Sequence, residues 1–160
     1  MLDVLTEIII ECPRPDVARY AANPDNAPSW YVNIERVEWR SPPPLRMGSE
    51  IAFVAQFMGR RLAYTYRITA FAPGERLVMT TAEGPFPMET IYEWESVAAN
   101  GTRMRLRNRG QPSGFSTLIA PFVAWSMRRA NQKDLAKLKE ILERDRESPR
   151  EPRSSSTTSE

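Results

Sequence analysis

Tyr64, Tyr66, Thr90, Tyr92, Asn108 and Asn131 each put a hydroxyl or amide tip at a position whose spacing turns it toward apolar neighbours. Large apolar walls for the same space would come from Trp30, Phe53, Phe57, Met79, Met88, Trp94 and Met127, with the small Ala55 leaving room among them. Aromatic bodies with a few placed polar groups are what holding a small molecule requires. The same tyrosines also read as core residues whose hydroxyls are bonded or reach solvent, and Trp30 as a lid or core anchor. Asn131 is the more unusual residue, because it interrupts an otherwise apolar helical stripe.

Acid–base and metal chemistry find little support. The chain has no histidine, the commonest general base and metal ligand. One cysteine, Cys12, excludes an internal disulfide and a cysteine-rich zinc site. Neither a metal nor a cofactor is expected. Glu83, Glu89, Glu93 and Glu95 all read as outward, and no pair of carboxylates points clearly inward. Acid–base work would fall to a tyrosine, an arginine or a shifted carboxylate, so no catalytic residue is assigned.

Arg103, Arg105, Arg107 and Arg109 occupy every second position of GTRMRLRNRG. Period two is the period of a strand, so all four share one face. Glu89, Glu93 and Glu95 share a face of the preceding strand, opposite Met88, Thr90, Tyr92 and Trp94. A three-residue loop, Ala99-Asn100-Gly101 with Gly101 left-handed, would set Glu95 opposite Arg105, Glu93 opposite Arg107 and Trp94 opposite Leu106. The arginine row is then a solvated, glutamate-paired sheet face. With 22 basic and 20 acidic residues and a net charge of +2, nucleic acid is not an expected partner.

These residues need elements to position them. A strand is expected over 3–11, a short helix over CPRPDVARYAAN with Pro15 in its first turn, and a second short helix at APSWY. Strands follow over 33–40, 49–58, 61–71, 76–83 and 88–97, then the arginine strand. A two-residue turn at Gly59-Arg60 would set Phe57 opposite Leu62, Ala55 opposite Tyr64, Phe53 opposite Tyr66 and Ile51 opposite Ile68. A long helix over about 116–144 carries Ile119, Val123, Met127, Ala130, Asn131, Leu135, Leu138 and Leu142 on one stripe, with Pro121 marking a kink or the true start. Residues 1–145 form one domain, and 146–160, rich in Pro, Ser and charge, form a disordered tail. No run of about 18 apolar residues predicts a membrane span, and the N-terminus does not read as a secretory signal, so a cytoplasmic location is expected.

This order of elements resembles the START/polyketide-cyclase superfamily (SRPBCC), the α+β helix-grip fold shared with the birch-pollen allergen, and within it the bacterial polyketide cyclase/dehydrase and lipid-transport group. The resemblance spans about residues 2–144 and is carried by NPDNAPSWYVNIERVE, LRMGSEIAFVAQFMGRRLAYTYRITAFAPGERLVM, NGTRMRLR and DLAKLKEIL. It implies a curved antiparallel sheet of about seven strands wrapped round a long C-terminal helix, with an apolar cavity between them for lipids, polyketides or other flat hydrophobic molecules. It transfers no catalytic residue, since the family has no universal catalytic signature. Three functions stay open: a carrier of a hydrophobic small molecule; a polyketide cyclase, aromatase or dehydratase; and a protein-interaction module. An inward acid near a tyrosine would favour the enzyme, and a collapsed core the module. The oligomeric state is not readable.

Overall fold

In a computed structural model, residues 1–57, 59–84, 86–111 and 119–147 are described. Alternation of apolar and polar residues forms β1 (Leu2–Ile10), with Val4 and Ile10 buried and Asp3, Leu5 and Glu7 exposed. Helix α1 (Arg14–Ala22) starts behind Pro13 with Pro15 in its first turn and ends at Asn23, before Pro24. A 3-10 turn at Pro24–Asn26 leads into α2 (Ala27–Trp30). The strands β2 (Ile34–Trp39), β3 (Glu50–Phe57), β4 (Arg60–Ala72), β5 (Arg76–Glu83), β6 (Met88–Val97) and β7 (Gly101–Gly110) precede the 28-residue α3 (Ala120–Glu147).

All seven strands form one antiparallel sheet in the order β1-β7-β6-β5-β4-β3-β2. The first strand closes against the last, so β1 and β2 are the two edges. Bulges in β2 and β4 interrupt the ladders; bulges bend a strand and raise its local twist. The core lies on the concave face. Leu135, Leu138 and Leu142 of α3 pack there with Ile10, Trp30, Leu77, Trp94, Met104 and Leu106. Val123 and Met127 join Leu2, Val4 and Met88 in a second cluster. This is the expected α+β helix-grip architecture.

Two registers differ from the sequence expectation. Phe57 faces Arg60, so Ala55 lies opposite Leu62, Phe53 opposite Tyr64 and Ile51 opposite Tyr66. The turn therefore falls between Phe57 and Arg60, one residue earlier than expected, and Gly59 has φ 75°. Glycine thus supplies the left-handed conformation at the second turn position rather than the first. In the β6–β7 hairpin, Glu95 faces Arg103, Glu93 faces Arg105 and Trp94 faces Met104. The loop has three residues as expected, but they are Ala98, Ala99 and Asn100, with Ala98 at φ 54°. Gly101 is needed for a different reason: a Cβ there would lie 2.7 Å from the Val97 carbonyl oxygen. Both errors are shifts of two residues. An even shift keeps every side chain on its face.

The arginine row is accordingly outward and acid-paired, by β1 and β6 alike. Arg105 bonds Glu7 at 3.2 Å, Arg107 bonds Asp3 at 2.6 Å, and Arg103 bonds Glu95 at 3.3 Å. Arg109 lies 3.8 Å from Glu89. The hydrogen bond from Arg107 holds the Asp3 carboxyl below its usual range. Glu93 makes no ion pair among the described residues, so the expected Glu93–Arg107 pair is replaced by Asp3–Arg107.

Helix α3 begins at Ala120 with Pro121 in its first turn, so Pro121 marks the start and not a kink. It runs through Arg146, whose guanidinium donates to the Glu11 carbonyl at 2.9 Å. The helix therefore enters the segment expected as tail by two residues. Residues 112–118, with the first residues of the expected 116–144 helix, and residues 148–160 lie outside the described residues.

Candidate functional site

Sheet and helix do not meet along their whole length. Between β3–β7 and the first half of α3 lies a half-open cavity of about 670 Å³. That volume falls within the range of about 300–1,000 Å³ common for ligand pockets. Its outer part is bordered by Ile34, Gln56, Phe57, Arg60, Leu62 and Ile119, all at least partly exposed. Its inner part is bordered by buried residues, among them Met79, Met88, Thr90, Tyr92 and Asn108.

Twelve of the fourteen residues expected around a ligand line this cavity: Phe53, Ala55, Phe57, Tyr64, Tyr66, Met79, Met88, Thr90, Tyr92, Asn108, Met127 and Asn131. Strand alternation brings the sheet residues there, and the α3 stripe brings Met127 and Asn131. Trp30 does not line it. It is 1% exposed and packs in the main core with Tyr92, its ring centroid 5.8 Å away. Trp94 is likewise core. The short α2 turns Trp30 under the sheet, and the next residue, Tyr31, reaches the cavity in its place.

The buried polar groups of the lining lie in the inner part. Thr90 Oγ1 donates to Asn108 Oδ1 at 2.7 Å across the β6–β7 ladder. The Tyr31 and Tyr92 hydroxyls hydrogen-bond each other. Burial raises the Tyr31 and Tyr92 phenols well above their usual range and pushes Tyr66 up to about 12. These phenols are protonated at neutral pH and serve as hydrogen-bonding groups rather than bases.

Of the lining residues that the sequence reading does not assign to the site, two carry polar groups in the inner part: Tyr31 and Asp134. Asp134 is 3% exposed on the cavity side of α3. The Val32 backbone N–H donates to its Oδ1 at 2.9 Å, tying the end of α2 to the long helix. Burial pushes the carboxyl up to about 6, opposed by that hydrogen bond. No ion pair reaches it among the described residues. The signal was present in the periodicity. Asp134 stands three residues after Asn131 and four before Leu138, on the stripe that located both. Among the described lining residues, Asp134 is a single inward acid, beside Tyr31 and Tyr92.

Comparison with known proteins follows this geometry. Residues 1–143 match the family described as polyketide cyclase / dehydrase and lipid transport. Among solved structures, a protein from Thermus thermophilus superposes with a TM-score of 0.78 at 20% identity, covering 89% of this chain and 98% of that one. The Zhui aromatase/cyclase from a Streptomyces species, R1128, gives 0.75 at 14% identity over 89% and 93%. A START superfamily protein from Mycobacterium smegmatis gives 0.74 at 10% identity over 89% and 97%. No relative matches among the curated proteins. No helix among the described residues is long and apolar enough to cross a membrane. With the match spanning all but the last residues and the seven-stranded helix-grip fold in place, the chain belongs to the polyketide cyclase / dehydrase and lipid transport family of the START-like superfamily.

Proposed function

We propose that the protein binds a flat or extended hydrophobic small molecule, a lipid, polyketide or similar, in the cavity between the sheet and α3, as a cytoplasmic carrier. The observation that carries this reading is the cavity itself: aromatic and thioether walls, an open outer part and buried polar groups in the inner part. The flexible methionines Met79, Met88 and Met127 suit ligands of varied shape. Ala55 supplies the test. It lines the cavity opposite Leu62 and Ile34. Ala55→Phe fills ligand space, so it weakens binding of an environment-sensitive apolar probe by roughly tenfold or more, with near-normal stability. If the residue instead sits in tight core, the same change costs about 1–3 kcal/mol of stability and the wild type binds no probe.

A second reading has one observation in its favour. Asp134 is a buried carboxyl of raised pKa beside the Tyr31–Tyr92 pair. In a cyclase, aromatase or dehydratase, its carboxylate would take a proton from the carbon next to a ligand carbonyl. The C–H electron pair would form the C=C bond as the carbonyl π pair moves onto oxygen to give an enolate, and the proton would remain on Asp134. Deuterium exchange into a bound methyl ketone, followed by NMR, tests this. Exchange abolished by Asp134→Asn supports catalysis; exchange unchanged in that variant removes Asp134 from it.

A further inference from the structure

The polar groups of the cavity differ in what they still need. Thr90 and Asn108 bond each other, and so do Tyr31 and Tyr92. Asn131 and Asp134 do not share in this. Asn131 is 5% exposed, and its Nδ2 is fully buried with no hydrogen-bond partner among the described residues. The oxygen is then the end of the amide left to face the cavity that Asn131 lines. Asp134 has one hydrogen bond, from Val32, and no cation beside it among the described residues. The only cationic side chain of the lining among the described residues, Arg60, is exposed in the outer part.

A buried amide without a partner is costly, by about 1–3 kcal/mol for a group left unsatisfied. Such a group persists where something else satisfies it or where it serves a function. The two residues are three apart on one helical face, so a single ligand group can meet both. Ionised carboxylates only accept hydrogen bonds. The amide oxygen also only accepts. A ketone, ester or ether oxygen has no hydrogen to donate, so the ionised Asp134 carboxylate repels it whichever way the Asn131 amide is turned.

We propose that Asn131 and Asp134 form a subsite for a hydrogen-bond-donating head group, a hydroxyl or an amine, at the buried end of an otherwise apolar ligand. Either donor satisfies Asp134. A half-turn of the Asn131 amide, which exchanges its oxygen and nitrogen, suits the hydroxyl, since a hydroxyl also accepts. The remaining, apolar part of the ligand lies against Phe53, Met79 and Met127. This assignment rests on the ligand-binding reading above and narrows it to molecules with a donor at one end.

Calorimetric titration of the full chain at pH 8 with 4-butylphenol, 4-butylaniline and 4-butylanisole tests it. The three share one apolar body; the first two donate hydrogen bonds and the third does not. The expected result is that at least one donor binds roughly ten times more tightly than the anisole. Phenol above aniline identifies the hydroxyl as the preferred head, and the reverse order the amine. Asp134→Asn keeps an acceptor for Val32 and offers an NH2 to the ligand, so it erases or reverses the preference. Asn131→Leu, which removes the unpartnered amide without deleting volume, reduces it. Equal binding of all three by the wild type overturns the subsite and leaves the cavity reading standing. A preference that persists unchanged in both variants also overturns it. Binding of none of the three overturns both.

Discussion

The outer face of the sheet and the buried end of the cavity both carry a concentration of polar residues, and they handle them in opposite ways. On the outer face, Arg103, Arg105, Arg107 and Arg109 each stand within ion-pair distance of an acid, on β1 or β6. Every one of these groups is also open to water. At the buried end, water is scarce, yet among the described residues the Asn131 amide nitrogen has no partner and the Asp134 carboxyl has one N–H and no cation. A solvated, paired charge contributes little either way. A desolvated, unpaired one costs stability and is retained where it does something. The conspicuous arginine row is therefore a solvated, acid-paired sheet face, and the inconspicuous Asp134 belongs to the subsite proposed above.

The largest expected effect tests that cost directly. The Asp134 carboxyl is raised from 3.8 to about 6 by burial. Between these values the folded state keeps a proton that the unfolded state releases, so stability falls as pH rises from about 4 to about 6 and is level above. Asp134→Asn removes the ionisation and keeps an acceptor for the Val32 N–H. It should stabilise the protein at pH 7 by up to about 3 kcal/mol, from roughly two pKa units at 1.36 kcal/mol each. The gain should vanish near pH 3, where the side chain is neutral in both wild type and variant. Urea denaturation at the two pH values measures it; an equal change at both would mean the carboxyl is not destabilised by burial.

Next in size is the wall of the cavity. A Cβ on Gly84 would lie 2.6 Å from the Tyr64 ring. Gly84→Ala forces that ring to shift, at a cost of about 1–3 kcal/mol if its surroundings are tight. Because Tyr64 borders the cavity, it has space to move into. The cost should lie at the low end, with apolar-probe affinity altered. A full cost with unchanged probe binding would show Tyr64 to be locked in core.

The outer face should respond weakly. A double-mutant cycle of Asp3→Ala and Arg107→Ala should give a coupling of about 0.2–1 kcal/mol that shrinks with salt. The cycle of Glu93→Ala and Arg107→Ala should give a smaller one, because the observed register pairs Glu93 with Arg105. The reverse order would restore the register expected from the hairpin sequence. Smallest of all, ending the chain after Glu147 should leave the unfolding free energy within about 0.5 kcal/mol, since 148–160 has no large apolar residue to bury. A larger loss would show that the segment docks.

What could be read from sequence divides along the same line. Face assignments survived because strand parity is strong wherever one face is apolar. Tyr64, Tyr66, Thr90, Tyr92 and Asn108 were placed on the inner face even though both hairpin registers were two residues off. Register rests on which turn residue takes positive φ, and Ala98, not Gly101, does so in one hairpin. That choice depends on packing around the loop. Tyr31 was missed because it follows a four-residue helix, too short to show a period. Asp134 was missed because a charged residue on a helix is ordinarily solvent-facing. Its position on the stripe was legible; its burial depends on the sheet curving over it. Trp30 went the other way, since size marks a residue as an anchor without saying which side of the core it fills.

Native mass spectrometry of the purified protein tests the central claim most directly. The account predicts a species heavier than the 18.3 kDa chain by one constant small-molecule mass, lost on denaturation and extractable as an apolar compound. The bare chain mass under native conditions, in a protein that also takes up no apolar probe, would contradict it.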